Sequence, residues 1–362
     1  MRKRTTLLLV TMLATSACDW EDLGDAWEDE HDLRDDLDDV LDDTGAPGAI
    51  VQREAHDTLR ARAGSNNFGE REIAYDAQFR VASVSKTFAA VVVLQLVQEG
   101  KLALSDSVEK WLPGLVSGDP ITIEQLLRHQ SGLPNYLQSP RLAEPLASSQ
   151  AWEQHHHDAA TQAQYVSYAL ELPRLPREFA YSNTNYVLLG MIIEAVTKQS
   201  WGDQVAQRII APLQLSGTDV PGSNPYLSSP YARGWMRFGD EKKYVDVSEN
   251  SWLVGADAGV VSTLEDLNTF FRALIRGELL SPDMLTAMQQ TVPVDGGGYG
   301  LGLQWSPLRC GGGYWHHDGD TLGYTVRTGV LPDGSRSVAL MVDGALDDDR
   351  AAARLIDHAL CR

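Results

Sequence analysis

Ser83 and Lys86 stand three residues apart in Ser83-Val84-Ser85-Lys86. On a helix that spacing puts both side chains on one face. A serine hydroxyl is a weak nucleophile at its own pKa and needs a neighbouring base or cation before it can attack a carbonyl. A lysine on the same face supplies one. The same residues also suit a helix start capped by Ser83 or Ser85, so the pair alone does not choose between chemistry and capping. Two further groups lie downstream: Tyr181-Ser182-Asn183, just before an apolar helical pattern, and His317-Asp318-Gly319, leading into late strands. Together they offer a nucleophile, a cation, a phenol, an amide and an imidazole.

The order Ser-x-x-Lys, Tyr-Ser-Asn, His-x-Gly resembles the penicillin-recognising serine hydrolases, which comprise low-molecular-weight DD-carboxypeptidases, class C β-lactamases and β-lactamase-like esterases. A cousin pattern marks class A β-lactamases and penicillin-binding proteins. The resemblance covers nearly all of the chain after about residue 32, including segments 79–82, 121–134, 255–263, 299–302 and 323–324. It implies that Ser83 forms an acyl-enzyme, that Lys86 keeps the site positive and helps move the serine proton, and that Tyr181 relays this proton and later activates water. For that role the phenol, with a pKa of about 10 in water, has to be lowered by cations such as Lys86. Asn183 is implied to bond the substrate amide carbonyl, and the backbone N–H groups of Ser83 and Asp320 to hold the oxyanion. His317, Asp318 and Gly319 complete the implied substrate-binding edge. His317 stands where many β-lactamases have Lys, and an imidazole with a pKa of about 6.5 predicts a change of charge in the working pH range. Several family members carry Thr at the Asp318 position, where it helps bind a substrate carboxylate. Asp318, with Asp320 close by, is expected to repel one unless Arg327 compensates.

These groups must be held by elements that the patterning outlines. A turn at 45–48 precedes a strand from 49, an apolar helical run at 88–97 ends at Gly100, and helical patterns follow at 123–129, 186–197 and 263–275. Strands at 325–331 and 337–342 are joined by a turn at 332–335, and a helix near 350–360 closes the chain. The prediction is an α/β chain with a sheet built from both ends and a helical middle. The resemblance implies a β-lactamase/DD-peptidase-like fold, in which an antiparallel sheet flanked by helices meets an all-helical region at the cleft, over one domain at 32–362.

The chain has 362 residues, with 30 Lys+Arg against 50 Asp+Glu and a net charge of −20. That sign argues against nucleic acid, whose binding needs basic patches. Residues 19–43 hold 14 acidic side chains and one base, hence −13. Leu33, Leu37, Val40 and Leu41 fall at helical spacing, so the second half is expected as an amphipathic helix lying on the domain, and 18–31 as an acidic tether. The acidic run lacks the spacing of a calcium loop. Residues 1–17 read as an export signal: Arg2, Lys3 and Arg4, a short apolar stretch, then small residues. Cys18 follows where a bacterial lipoprotein box would be acylated, although Thr15 stands in place of the usual Leu, and plain secretion is the alternative. The expected location is a periplasmic or cell-envelope lipoprotein. Membrane contact is expected only through that anchor. Cys310 and Cys361 form an even pair that an oxidising compartment allows to bridge.

His155-His156-His157-Asp158 invites a metal reading, but consecutive helical side chains point about 100° apart. The run is read as a solvated helix start, with no metal and no cofactor expected. The expected protein is a monomer acting on a small peptide, ester or β-lactam, first as a D-alanyl-D-alanine carboxypeptidase on peptidoglycan peptides. The alternatives are an esterase or class C-type β-lactamase, and a β-lactam-acylated sensor without turnover, against which the intact Tyr181 counts.

Overall fold

The computed structural model describes the backbone of residues 20–362 except 70, 117–119 and 347, with side chains from residue 30 onward. The expected signal at 1–17 and the acylation site Cys18 lie outside the described residues. The main sheet has nine strands: β1 (Gly48–Glu54), β2 (Thr58–Gly64), β3 (Val292–Val294), β4 (Gly297–Tyr299), β5 (Gln304–Pro307), β6 (Gly313–His316), β7 (Gly319–Thr321), β8 (Tyr324–Val330) and β9 (Ser337–Val342). Their order is β2-β1-β9-β8-β6-β5-β4-β3, all antiparallel, with β7 paired to β8. The N-terminal hairpin therefore docks on the C-terminal one, as expected of a sheet closed from both ends.

Both faces of this sheet are covered, and β9 shows how period-2 alternation divides its side chains. Val338, Leu340 and Val342 pack with Leu33, Leu37 and Val40 of α1 (Trp20–Thr44) and with the apolar face of the C-terminal helix Arg350–Cys361. Ala339 and Met341 point to the opposite face, into the core shared with the helical region. Leu33, Leu37 and Val40 are thus a docked stripe, and among the described residues the helix runs from Trp20 rather than from near residue 32. No proline interrupts 20–44, so the backbone expected as a tether at 20–31 continues the helix. On the same side, Cys310 in the β5–β6 turn is disulfide-bonded to Cys361, with Cα atoms 6.0 Å apart. Replacing both cysteines by serine is expected to cost about 4 kcal/mol through the freed unfolded-chain loop. Urea denaturation checks this, and a loss under about 1 kcal/mol would refute it.

On the catalytic side, α2 (Ser85–Gln98) is apolar nearly all round and correspondingly buried. It packs beside α5, defined here as Asn183–Thr197, with α3 (Ser149–His155), α4 (Gln162–Leu170) and α6 (Leu264–Ile275) completing the part of the helical layer that bears on the site. The His155–Asp158 run lies at the end of α3, where the chain leaves the helix, not at a helix start.

Candidate active site

Ser83 sits in the one-turn helix Ala82–Val84 that feeds into α2. Ala82 has φ +49°, a left-handed conformation uncommon for a residue with a side chain, and this strained turn presents Ser83 to a cleft of about 400 Å³. The predicted face-sharing holds. Lys86 Nζ reaches Ser83 Oγ at 2.8 Å, Asn183 Oδ1 at 2.6 Å and the Asp257 carbonyl at 2.8 Å. The Lys86 side chain is fully buried, and burial pushes its pKa down to about 7 against the opposing pull of Asp257. A lysine so placed loses its proton near neutrality and can then accept one from Ser83.

The neighbouring Ser83 favours the ionised phenol of Tyr181, yet burial outweighs it and raises the phenol's pKa rather than lowering it. Lys86 meets the face of the ring, 5.1 Å from its centroid, and spends its N–H groups on Ser83, Asn183 and Asp257. The expectation of a cation-lowered phenol is therefore reversed. Tyr181 stays protonated at neutral pH and suits a proton relay better than a free base.

His317 is buried, and its pKa falls to about 3, first through desolvation and then through Lys86. It does not change charge in the working pH range, contrary to the expectation from its free value. The surrounding bonds explain the neutral ring. His129 Nδ1 accepts from the Ser182 N–H at 3.2 Å, so His129 Nε2–H donates to Tyr299 Oη at 3.1 Å. Tyr299 O–H then donates to His317 Nε2 at 3.1 Å, and His317 Nδ1–H donates to the Asp318 carbonyl at 2.8 Å. Every donor has one acceptor, and an added proton would have none. The His129 ring lies 4.2 Å from that of Tyr181, so this chain braces the phenol from behind.

The strand β7 closes the other side of Ser83. A Cβ on Gly319 would fall 2.3 Å from the Val81 carbonyl oxygen and 3.2 Å from the Ser83 backbone nitrogen, so only glycine lets β7 lie this close. Asp318 turns to His316, at 3.3 Å, while Asp320 lines the cleft with 63% of its side chain exposed. Arg327 does compensate in part. Its guanidinium binds Asp320 at 3.0 Å and Asp349 at 2.6 Å, but it serves three carboxylates, including Asp318. The remaining cleft wall is apolar and aromatic, with Tyr136, Leu142, Leu146, Trp252 and Leu322 prominent. Asn183 shares the cleft and offers Nδ2 toward Asn135, 3.4 Å away.

Several site residues escaped the sequence reading. Asp257, buried, accepts from Tyr136 O–H at 2.8 Å, and burial raises its pKa despite Lys86. Asp257, His129 and Tyr299 all fall in matched framework segments, but nothing in the sequence separates a buried carboxylate or imidazole from an exposed one.

A family model described as Beta-lactamase matches residues 33–360. The chain belongs to the beta-lactamase family. Among solved structures, the D-stereospecific amidohydrolase from Streptomyces sp. is similar at 34% identity and TM-score 0.84, covering 92% of this chain and 98% of that one. The D-amino acid amidase from Ochrobactrum anthropi SV3, complexed with D-phenylalanine, is similar at 25% identity and TM-score 0.78, over 94% of this chain and 98% of that one. Penicillin-binding protein 4* of Bacillus subtilis is 29% identical over 77% of this chain and 64% of its own length. The chain thus spans less than two thirds of the length of that and the other curated relatives it matches most strongly. At its cleft this fold brings Ser83, Lys86 and Tyr181 together.

Proposed function

We propose that the protein hydrolyses amides of amino acids or short peptides that carry a free ammonium group and an apolar D-configured residue, through an acyl-enzyme on Ser83. The observation carrying this reading is Asp320, a carboxylate largely exposed beside Ser83 in a cleft whose other carboxylate, Asp257, is buried. Among the described residues no Arg or Lys belongs to the cleft lining itself; Lys86 lies behind Ser83, bonded to it, and burial lowers its pKa to about 7, so it is no fixed cation there. One guanidinium among three carboxylates leaves the edge negative, which attracts an ammonium and repels a terminal carboxylate. This weighs against the D-alanyl-D-alanine carboxypeptidase and penicillin readings, both of which present a carboxylate. The D-stereospecific amidohydrolase and D-amino acid amidase neighbours support the amide class and the D-configuration.

In this mechanism neutral Lys86 takes the Ser83 proton as Oγ bonds to the amide carbon. The oxyanion is received by the Ser83 and Asp320 backbone N–H groups. Tyr181 passes its proton to the leaving nitrogen while regaining one from Lys86, the C–N bond breaks, and water releases the acyl group by the reverse relay. The disulfide supports an oxidising compartment, in keeping with the export pattern at the N-terminus.

The test compares D-phenylalanine amide, its N-acetyl derivative, a peptide ending in D-Ala-D-Ala, a penicillin and a nitrophenyl ester. The free-amine amide is expected to be turned over best among the amides. Asp320→Asn is expected to raise its KM about tenfold, as loss of a charge-assisted bond would, and to change the N-acetyl KM little. Equal use of both amides, or a preference for the carboxylate-ended peptide or the penicillin, would overturn the reading.

A further inference from the structure

The expectation that His155–Asp158 holds no metal considered those four residues alone. In the fold, His156 and His157 are joined by Glu249, about ninety residues on. One ring nitrogen of each histidine and one Glu249 carboxylate oxygen lie within 4.8 Å of one another. Two features make this juxtaposition possible. The helix α3 ends at His155, so His156 and His157 no longer diverge as helical neighbours, and their ring centroids are 4.0 Å apart. The segment carrying Glu249 is then fastened to the same turn, since the Ser251 N–H donates to the His156 carbonyl at 3.0 Å and Trp252 Nε1–H to the His155 carbonyl at 2.9 Å.

The geometry points to a divalent metal site, of the kind that takes Zn²⁺, formed by His156, His157 and Glu249. The His156 ring is already oriented for it. Its Nδ1 lies 3.0 Å from the Trp152 carbonyl oxygen, so Nδ1–H donates there and the lone pair is left on Nε2. Metal-bound histidines show this arrangement, the second nitrogen bonding a carbonyl and fixing the tautomer. Two imidazoles and one carboxylate are a common zinc donor set, with water completing a tetrahedron. Zinc holds such donors at about 2.0–2.2 Å. The exposed His157 and Glu249 side chains are free to rotate inward by the small amount this requires. His155 is outside the set, because the donor atoms that lie within 4.8 Å of one another are those of His156, His157 and Glu249.

The site has a mechanical consequence. Asn250, Trp252 and Leu253, immediately after Glu249, line the catalytic cleft. A bound ion therefore clips the end of α3 to the segment that forms one cleft wall.

Calorimetric titration of the metal-stripped full chain with Zn²⁺ is the test, together with thermal unfolding with and without the ion. One Zn²⁺ per chain is expected, with a higher Tm on binding because the ion favours the folded state. Glu249→Gln and His157→Ala should each weaken binding at least tenfold, while their metal-free Tm stays that of wild type, and His155→Ala should bind as wild type does. Co²⁺ in place of Zn²⁺ should give visible absorption bands of a low-coordinate site that both variants lose. Absence of saturable one-to-one binding would overturn the proposal. So would binding that Glu249→Gln and His157→Ala leave unchanged, or that His155→Ala weakens equally.

Discussion

Ser83→Ala is expected to lower turnover of every substrate by about 10⁴-fold or more, because removing the nucleophile of a coupled catalytic group costs nearly as much as removing the group entirely. Stability should hardly move. Ser83 Oγ is one of three acceptors for Lys86, and Asn183 Oδ1 and the Asp257 carbonyl remain in place. Intact mass after incubation with a nitrophenyl ester checks the step directly. Wild type should gain the mass of one acyl group during turnover and the variant none. Turnover surviving in Ser83→Ala with Tm unchanged would refute the acyl-enzyme assignment.

The second large effect is a pH dependence set by Lys86. With its pKa brought down to about 7 by burial, the amine is mostly protonated below that pH and cannot accept the Ser83 proton. The ratio kcat/KM should therefore rise with pH through about 7 and level off above it. Lys86→Arg keeps a positive charge but stays protonated throughout, so it should lose about 10³-fold or more and show no rise. His317, lowered to about 3 and held neutral by Tyr299 and Asp318, should not contribute. His317→Gln is accordingly expected to leave the inflection in place. A flat profile between pH 5.5 and 8.5, or an inflection that moves in His317→Gln, would assign the base elsewhere. The same shift bears on folding. A folded-state pKa below the unfolded 10.5 means that the unfolded chain binds more protons between about 7 and 10.5, so the Lys86 contribution favours the folded state increasingly across that window.

Much of the fold was legible because it rests on short-range periodicity. The stripe Leu33, Leu37, Val40, the apolar run 88–97 of α2 and the strands at 325–331 and 337–342 each announce the face they bury within a few residues. The segment expected as a tether at 18–31 was less legible for the complementary reason. A strongly acidic segment with no apolar stripe has no pattern that separates a solvated helix from a solvated arm, and the backbone there is helical from Trp20. In the site, Ser83 and Lys86 were legible because three residues of helix bring them together whatever the rest of the chain does.

What the sequence by itself determined is this set of local relations: the serine–lysine pair, the order of the three motifs and the amphipathic stripes. Tertiary structure alone decided the proton inventory and the sign of the cleft's charge. Lys86 loses its proton readily, Tyr181 keeps its own and His317 stays neutral, because desolvation sums over segments that lie one to two hundred residues apart. Whether Asp320 faces solvent in the cleft or is fully absorbed by Arg327, and whether Glu249 reaches His156 and His157, depends likewise on packing between distant elements. Spacing along a chain specifies which groups can meet within a few residues. Only the folded interior sets the dielectric and the partners that give those groups their charge.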